Sequence, residues 1–270
     1  MGRISATFKR LRWEKEAAFI PYVMTGYPSL EVTRQIVPMM ARQGADLIEL
    51  GVPFSDPIAD GPTIQRASQC ALANGVTMAH CLAVAAEARL ASDVPVVLMS
   101  YYNPVHSYGI ERFASDAAQA GVDGLIVPDL PPEEAGDLKA ALDAVNVDLI
   151  FLAAPTSTDE RLHQIAQMSG GFIYCVSVTG VTGARARLSD EVKDLVRRVR
   201  HHTDLPVVVG FGISTPEHVA DIAQIADGVV VASALINHIE AMLGTLPEDE
   251  VLGGIAEFVR EFKQATVRQT

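Results

Sequence analysis

Aromatic residues are few, 6% of a 270-residue chain in which hydrophobic residues reach 49%. A core built from this composition is aliphatic. Basic residues are outnumbered 21 to 33, a net charge of −12. That balance argues against non-specific binding to nucleic acid or an anionic membrane, although a local basic patch stays open. No apolar run approaches the ~20 residues of a membrane span. The first residues, MGRISATFKRLRWEKEAAF, lack the apolar middle of a secretory signal, and Ala6 stands where a myristoylation site needs Ser or Thr. Cysteine is limited to Cys70, Cys81 and Cys175, an odd number in apolar contexts with no CxxC. Reduced, packed thiols in a cytoplasmic protein are expected.

Further absences narrow the chemistry. The lysines are Lys9, Lys15, Lys139, Lys193 and Lys263, all in predicted helices or at their ends. None closes a strand, so a Schiff-base mechanism has no candidate amine. The histidines, at positions 80, 106, 163, 201, 202, 218 and 238, form no HExxH or His-x-His pattern. The His201–His202 pair reads as a solvated helix end. No metal site is expected. The G-x-S-x-G elbow of serine hydrolases is missing too.

What is present is a rhythm. Short β-rich runs occur at Phe19–Met24, Asp46–Val52, Pro95–Ser100, Gly124–Val127, Asp148–Ala153, Gly171–Val176, Pro206–Gly210 and Gly228–Ala232. Most, such as VVLM, IFLA and VVVG, show no polar alternation, as expected of parallel strands covered on both faces. Helical signals fill most gaps. Ser29–Gln43 opens on a capping serine and ends at Gly44; Pro131–Pro132–Glu133 opens another helix; Thr158 and Thr215 are further N-caps. The approaches QGADLIEL, AGVDGLIV and IADGVVVA share an Asp just before strands 2, 4 and 8, and SDVPVVLM resembles TDLPVVVG before strands 3 and 7. Similarity four strands apart suits half-barrel symmetry. The expected architecture is α/β: one (β/α)8 TIM barrel domain over 1–270, with an additional N-terminal helix near Ala6–Glu16 and a short extra helix after strand 8. An open doubly wound sheet is the alternative, and it needs a strand-order reversal that the pattern does not suggest.

In such barrels the active site lies where the strands end. The second run reads Asp46-Leu-Ile-Glu49-Leu-Gly51, followed by a loop carrying Asp56 and Asp60. With period two, if Ile48 and Leu50 meet the helices, Glu49 points into the barrel. Loss of hydration there raises a carboxyl's pKa and suits proton transfer near neutrality. Asp60, on the loop, is expected to be more hydrated and to stay ionised, so the two can divide acid and base roles. A structural Glu49 held by a buried hydrogen bond is the bland alternative. For Asp56, turn chemistry or a partner contact is preferred. Ser177–Gly183, Gly210-Phe211-Gly212 and Ala232-Ser233 are small-residue loops after strands 6, 7 and 8. Together they suggest a phosphate pocket, with Ser233 capping the short helix; tight turns without a ligand are the alternative. Tyr22, Met99, Tyr101, Val127, Ala153, Tyr174 and Phe211 lie at or near strand ends. As a group they allow a flat aromatic substrate. Any carbon–carbon cleavage here needs a substrate that supplies its own electron sink.

ELGVPFSDPIADGPTIQ (49–65) resembles the signature of the tryptophan synthase α subunit family. FIPYVMTGYP (19–28), MSYYNP (99–104), VPDLPPEE (127–134), APTSTDER (154–161), GVTGAR (180–185) and VGFGIS (209–214) fit in the same order. The resemblance implies a (β/α)8 barrel that splits indole-3-glycerol phosphate into indole and glyceraldehyde 3-phosphate by a retro-aldol reaction, with the C3-protonated indole ring as electron sink. It implies that Glu49 handles protons at C3 and at the glycerol hydroxyl, and that Asp60 pairs with the indole N–H. It carries phosphate contacts onto Gly183, Gly212, Ala232 and Ser233, and places Thr182 in a loop, 179–190, that closes over substrate and contacts the catalytic Asp. It implies no cofactor in this chain. Pyridoxal phosphate belongs to the β subunit, which receives indole within an α2β2 complex. Ala232 stands where family members often carry glycine, and Tyr22 where they often carry Phe. The rival readings are another phosphate-binding barrel enzyme, such as a sugar-phosphate isomerase, and a regulatory subunit without turnover.

Overall fold

The computed structural model describes residues 2–176, 190–210 and 212–268. Its strands are β1 (Ala18–Met24), β2 (Ile48–Gly51), β3 (Val96–Met99), β4 (Gly124–Ile126), β5 (Asp148–Ile150), β6 (Leu152–Ala153), β7 (Ile173–Val176), β8 (Val207–Gly210) and β9 (Gly228–Val231). All pair in parallel, in the order β5-β4-β3-β2-β1-β9-β8-β7-β6. The two edges of that order, β5 and β6, are separated along the chain by Phe151 alone. They are two halves of one strand: the first half pairs with β4 and the second with β7. The sheet thus closes on itself as an eight-stranded barrel, and the open-sheet alternative is excluded. Strand interiors are buried on both sides, which accounts for the unalternating aliphatic runs.

Eight of the helices coat the barrel: α2 (Leu30–Arg42), α4 (Met78–Ala91), α6 (Ile110–Gln119), α7 (Gly136–Asp143), α8 (Asp159–Met168), α9 (Asp190–Arg200), α10 (Pro216–Ala223) and α12 (Glu248–Gln264). The capping residues act as expected. Ser29 accepts the Val32 amide hydrogen, Thr158 that of Arg161, and Thr215 that of His218. Pro132–Glu134, in contrast, makes only a 3-10 turn before α7. Four helices are additional: α1 (Arg3–Glu14), α3 (Pro62–Ala73), α5 (Tyr102–Tyr108) and α11 (Ser233–Met242). The sequence reading expected α1 and α11 but not α3 and α5.

The Asp that precedes strands 2, 4 and 8 has a common task at the base of the barrel. Asp46 accepts the Phe19 amide hydrogen at 2.9 Å, Asp123 that of Val96 at 2.9 Å, and Asp227 that of Val207 at 3.0 Å. Each carboxylate staples its own strand to the preceding one and is held by cations: Arg10 and Lys263 on Asp46, Arg3 and Arg89 on Asp123, Arg200 and Arg268 on Asp227. Between the fifth and sixth strands the equivalent position is filled by Ser169, whose Oγ accepts the Phe151 amide hydrogen at 3.3 Å. Helix α1 packs Ile4, Phe8 and Leu11 into the same end, and Phe8 meets Phe172 at 5.9 Å. Burying each such side chain contributes about 1.5–3 kcal/mol. This end is closed, so the chemistry is left to the other.

Candidate active site

Strand β2 brings Glu49 to the mouth. In register, Tyr22 of β1 pairs with Glu49, and Glu49 with Val97 of β3. Glu49 is 1% exposed. Its charge is felt by Tyr174 on β7, which lies four places away in the sheet order. Such an interaction runs across the barrel interior, so the side chain points inward as the period-two pattern requires. Neither carboxyl oxygen has a hydrogen-bond partner among the described residues. Burial, reinforced by the nearby charge of Asp60, pushes its pKa up to about 8.

Pro53 ends β2 after Val52 has donated to the Met99 carbonyl. The loop that follows is tied from two sides. Ser68 of α3 accepts the Phe54 amide hydrogen and donates to the Phe54 carbonyl, each at 3.0 Å. From β3's end, the Tyr101 phenol oxygen accepts the Ala59 amide hydrogen at 2.9 Å, and its ring packs 5.2 Å from Phe54. The same phenol hydrogen-bonds Asp60. Gln65 of α3 donates to the Asp60 carbonyl at 2.9 Å. Asp60 is therefore less open than a hydrated loop residue. Burial raises its pKa to about 6, while the bond from Tyr101 opposes the rise. With these shifts, Glu49 is mostly protonated and Asp60 mostly ionised near neutrality. Asp56 is exposed and bonds Ser55, the turn chemistry preferred for it.

Two phenols complete the inner wall. A Cβ built at Gly51 would lie 2.6 Å from Tyr22 Cζ, and closer still to its oxygen. At Gly210 the same construction lies 2.6 Å from Tyr174 Cζ. Tyr22 precedes by one layer the strand neighbour of Gly51, and Tyr174 stands in the same relation to Gly210. Each tyrosine thus leans over a side-chain-free position of the next strand. Gly210 accordingly makes room for a phenol, whereas its place in the Gly210-Phe211-Gly212 loop suggests a phosphate-approach glycine. Had the inward faces of neighbouring strands been aligned, these Tyr–Gly pairs were detectable. Met99 is half-buried at the end of β3, and Val127 and Ala153 are buried at the ends of β4 and β6.

On the other side of the mouth, Gly212 is exposed with φ +75°, a conformation that suits glycine. Ser233 is not the cap of α11. Ala232 occupies the N-cap position and Ser233 is the first helical residue, with no side chain bonded to the helix start. The leading amides of α11 are thus presented without a side-chain cap. Thr182, Gly183, Phe211 and most of the 179–190 loop lie outside the described residues. Among the described residues, no group of three or more His, Cys, Asp or Glu side chains is placed to hold a metal ion.

The tryptophan synthase alpha chain family model matches residues 8–267. A curated tryptophan synthase alpha chain from Geobacter sp. (strain M21) is 51% identical over 268 residues, covering 99% of both chains. One from Roseiflexus castenholzii is 53% identical over 261 residues, covering 96% of this chain and 98% of the relative. Among solved structures, Mycobacterium tuberculosis tryptophan synthase superposes with a TM-score of 0.90 at 40% identity, covering 99% of each chain. The subunit alpha of tryptophan synthase from Legionella pneumophila str. Paris gives 0.90 at 37%, covering 98% of each.

Proposed function

The chain belongs to the tryptophan synthase alpha chain family, and on that premise we propose how its own residues carry out the family's reaction. The activity is that of a lyase: indole-3-glycerol phosphate is cleaved to indole and glyceraldehyde 3-phosphate in tryptophan biosynthesis. The chain carries no cofactor and works with the β subunit, which holds pyridoxal phosphate, in a heterotetramer.

In the proposed mechanism the substrate enters from the strand-end mouth, its indole ring among Tyr22, Met99, Tyr101, Val127, Tyr174 and Phe211. Glu49, protonated near neutrality, donates to indole C3. The ring becomes an iminium cation, and the Asp60 carboxylate balances that charge through the N–H. Glu49, now a carboxylate, takes the proton of the glycerol hydroxyl. The carbon–carbon bond breaks, its electron pair restores the indole, and the hydroxyl carbon becomes the aldehyde. Thr182 assists Asp60 from the closing loop. Phosphate is held by backbone amides at Gly183, Gly212 and Ala232–Ser233, where α11 offers a helix N-terminus. Residues 1–270 act as one barrel domain, in keeping with every strand lying in one sheet.

The observation that carries this reading is the pairing of a fully buried Glu49, without a hydrogen-bond partner among the described residues, with a less buried, tyrosine-bonded Asp60 across one mouth. The cytoplasm is the proposed compartment, which a biosynthetic role supports; no single helix among the described residues is long and apolar enough to cross a membrane. The test is direct: purified protein is incubated with indole-3-glycerol phosphate and indole is assayed, alone and with β subunit. Indole release from wild type and its loss in Glu49→Gln support the roles; equal rates in both overturn the assignment of Glu49.

A further inference from the structure

Tyr22 presents a hydroxyl group to the interior of the mouth. The residue is 3% exposed and faces inward beside Glu49, its register partner on β2. Its phenol leans over Gly51, two residues beyond Glu49 on the same inward face. The hydroxyl thus sits in the layer directly above Glu49, through which anything reaching Glu49 from the mouth must pass. Burial, and after it the charges of Asp60 and Glu49, hold the phenol protonated, able to donate and to accept. The Tyr101 phenol, by comparison, is engaged with Ala59 and Asp60. What acts on the Tyr22 hydroxyl is burial and the charges around it, with no hydrogen bond among these causes. A phenol in this position can exchange its hydration for a hydrogen bond to a ligand group.

The polar atoms of the substrate limit what that group is. This step rests on the mechanism proposed above. The indole nitrogen is taken by Asp60, and the phosphate by the strand-end amides opposite. The remaining polar atoms are the two glycerol hydroxyls, one of which Glu49 deprotonates. We propose that the Tyr22 hydroxyl hydrogen-bonds a glycerol hydroxyl of the substrate, and so makes this site selective for a hydroxylated chain between indole and phosphate. Its ring lines the pocket; its oxygen reads the chain.

Tyr22→Phe removes the oxygen and keeps the ring. Two readouts are compared between wild type and variant: kcat/KM for indole-3-glycerol phosphate, and Kd for indole-3-propanol phosphate, which lacks both glycerol hydroxyls. The expected result is a fall of about tenfold in kcat/KM, in the range of one lost hydrogen bond, with Kd for the deoxy analogue unchanged. Equal values of kcat/KM, or equal losses for both compounds, overturn the proposal, the latter assigning Tyr22 to ring placement. A second measurement does not depend on the variant's folding. In a crystal structure of Glu49→Gln with substrate, the Tyr22 oxygen should lie within about 3.2 Å of a glycerol oxygen; a separation beyond hydrogen-bond reach overturns the proposal. Wild-type turnover is the independent control: its absence would sink the mechanism itself, whereas an active wild type with an equally active Tyr22→Phe sinks only the inference on Tyr22.

Discussion

Tyr101 grips the loop that carries Asp60 by two of its groups at once. Its phenol oxygen accepts the Ala59 amide hydrogen at 2.9 Å, and the same hydroxyl hydrogen-bonds the Asp60 carboxyl and favours its ionised form. Tyr101→Phe keeps the packing on Phe54 and loses both bonds. The Asp60 pKa should then rise above about 6, leaving less carboxylate at neutral pH. The expected outcome is an acid limb of kcat/KM displaced to higher pH, with turnover at pH 6 lowered more than at pH 8. A pH–rate profile of the variant checks it; an unshifted acid limb would show that the bond does not tune Asp60.

The wild-type profile itself follows from the two carboxyls. Asp60 must be ionised, with a pKa near 6, and Glu49 must be protonated, with a pKa near 8. kcat/KM should therefore form a bell with limbs near those values, since it reports the free enzyme's groups. Asp60→Asn should flatten the acid limb while lowering turnover. A profile rising through pH 9 contradicts the role of Glu49 as the initial proton donor.

Glu49 is also a liability for the fold, and its sign can be worked out. Its folded pKa, about 8, lies above the ordinary 4.5. Below pH 4.5 folded and unfolded chains both hold the proton, and the group has no effect. Between 4.5 and 8 the unfolded chain releases it while the folded protein retains it, so stability falls as pH rises. Glu49→Gln is free of this penalty. It should cut indole release by at least ~10²-fold, and gain stability over wild type between pH 5 and pH 8 by on the order of 4 kcal/mol. Urea melts at the two pH values measure it; a constant difference would mean that Glu49 is not buried as a neutral acid.

Gly51→Ala places a methyl group within 2.6 Å of Tyr22 Cζ. The phenol is enclosed, so either it or β2 must shift, at a cost of about 1–3 kcal/mol. Because the shift occurs beside Glu49, indole release should drop by more than stability alone explains. Thermal melting and specific activity of the folded fraction separate the two; an unchanged melting temperature would show that the phenol moves freely.

Asp123→Ala tests the opposite end. It removes the acceptor for Val96 and leaves Arg89, 15% exposed, without its charge partner. A loss of about 3–5 kcal/mol is expected, with specific activity of the folded protein unchanged. Activity falling in step with stability is compatible with this; inactivation of fully folded protein is not.

The barrel was legible because its strands are aliphatic on both faces and begin with a repeated Asp, whose stapling role then explains the repeat. Glu49 was legible because period two places it inward. Helices α3 and α5 escaped notice, since each shares a strand-to-strand gap with a barrel helix and helical spacing cannot say how many helices fill a gap. The excess length between β2 and β3 was the available signal. Ser233 looked like a cap from residue type alone, but α11 starts one residue earlier through the backbone of Ala232. The bond that restrains the Asp60 pKa against burial comes from a tyrosine 41 positions away in sequence, and no local pattern reveals such a closure.

The staples at the base join strands in twos: the first to the second, the third to the fourth, the seventh to the eighth by Asp, and the fifth to the sixth by Ser169. The ring is therefore four doublets with a seam between each and the next. Tyr22, Glu49 and Asp60 all ride on the first doublet, while Gly212, Ala232 and Ser233 follow the last. A substrate with its indole on one and its phosphate on the other lies across the seam between β9 and β1, which no carboxylate staple crosses among the described residues. On this arrangement the ligand is a bridge at the rim between the first and last doublets, whose lower ends are already joined by the backbone pairing of β1 with β9.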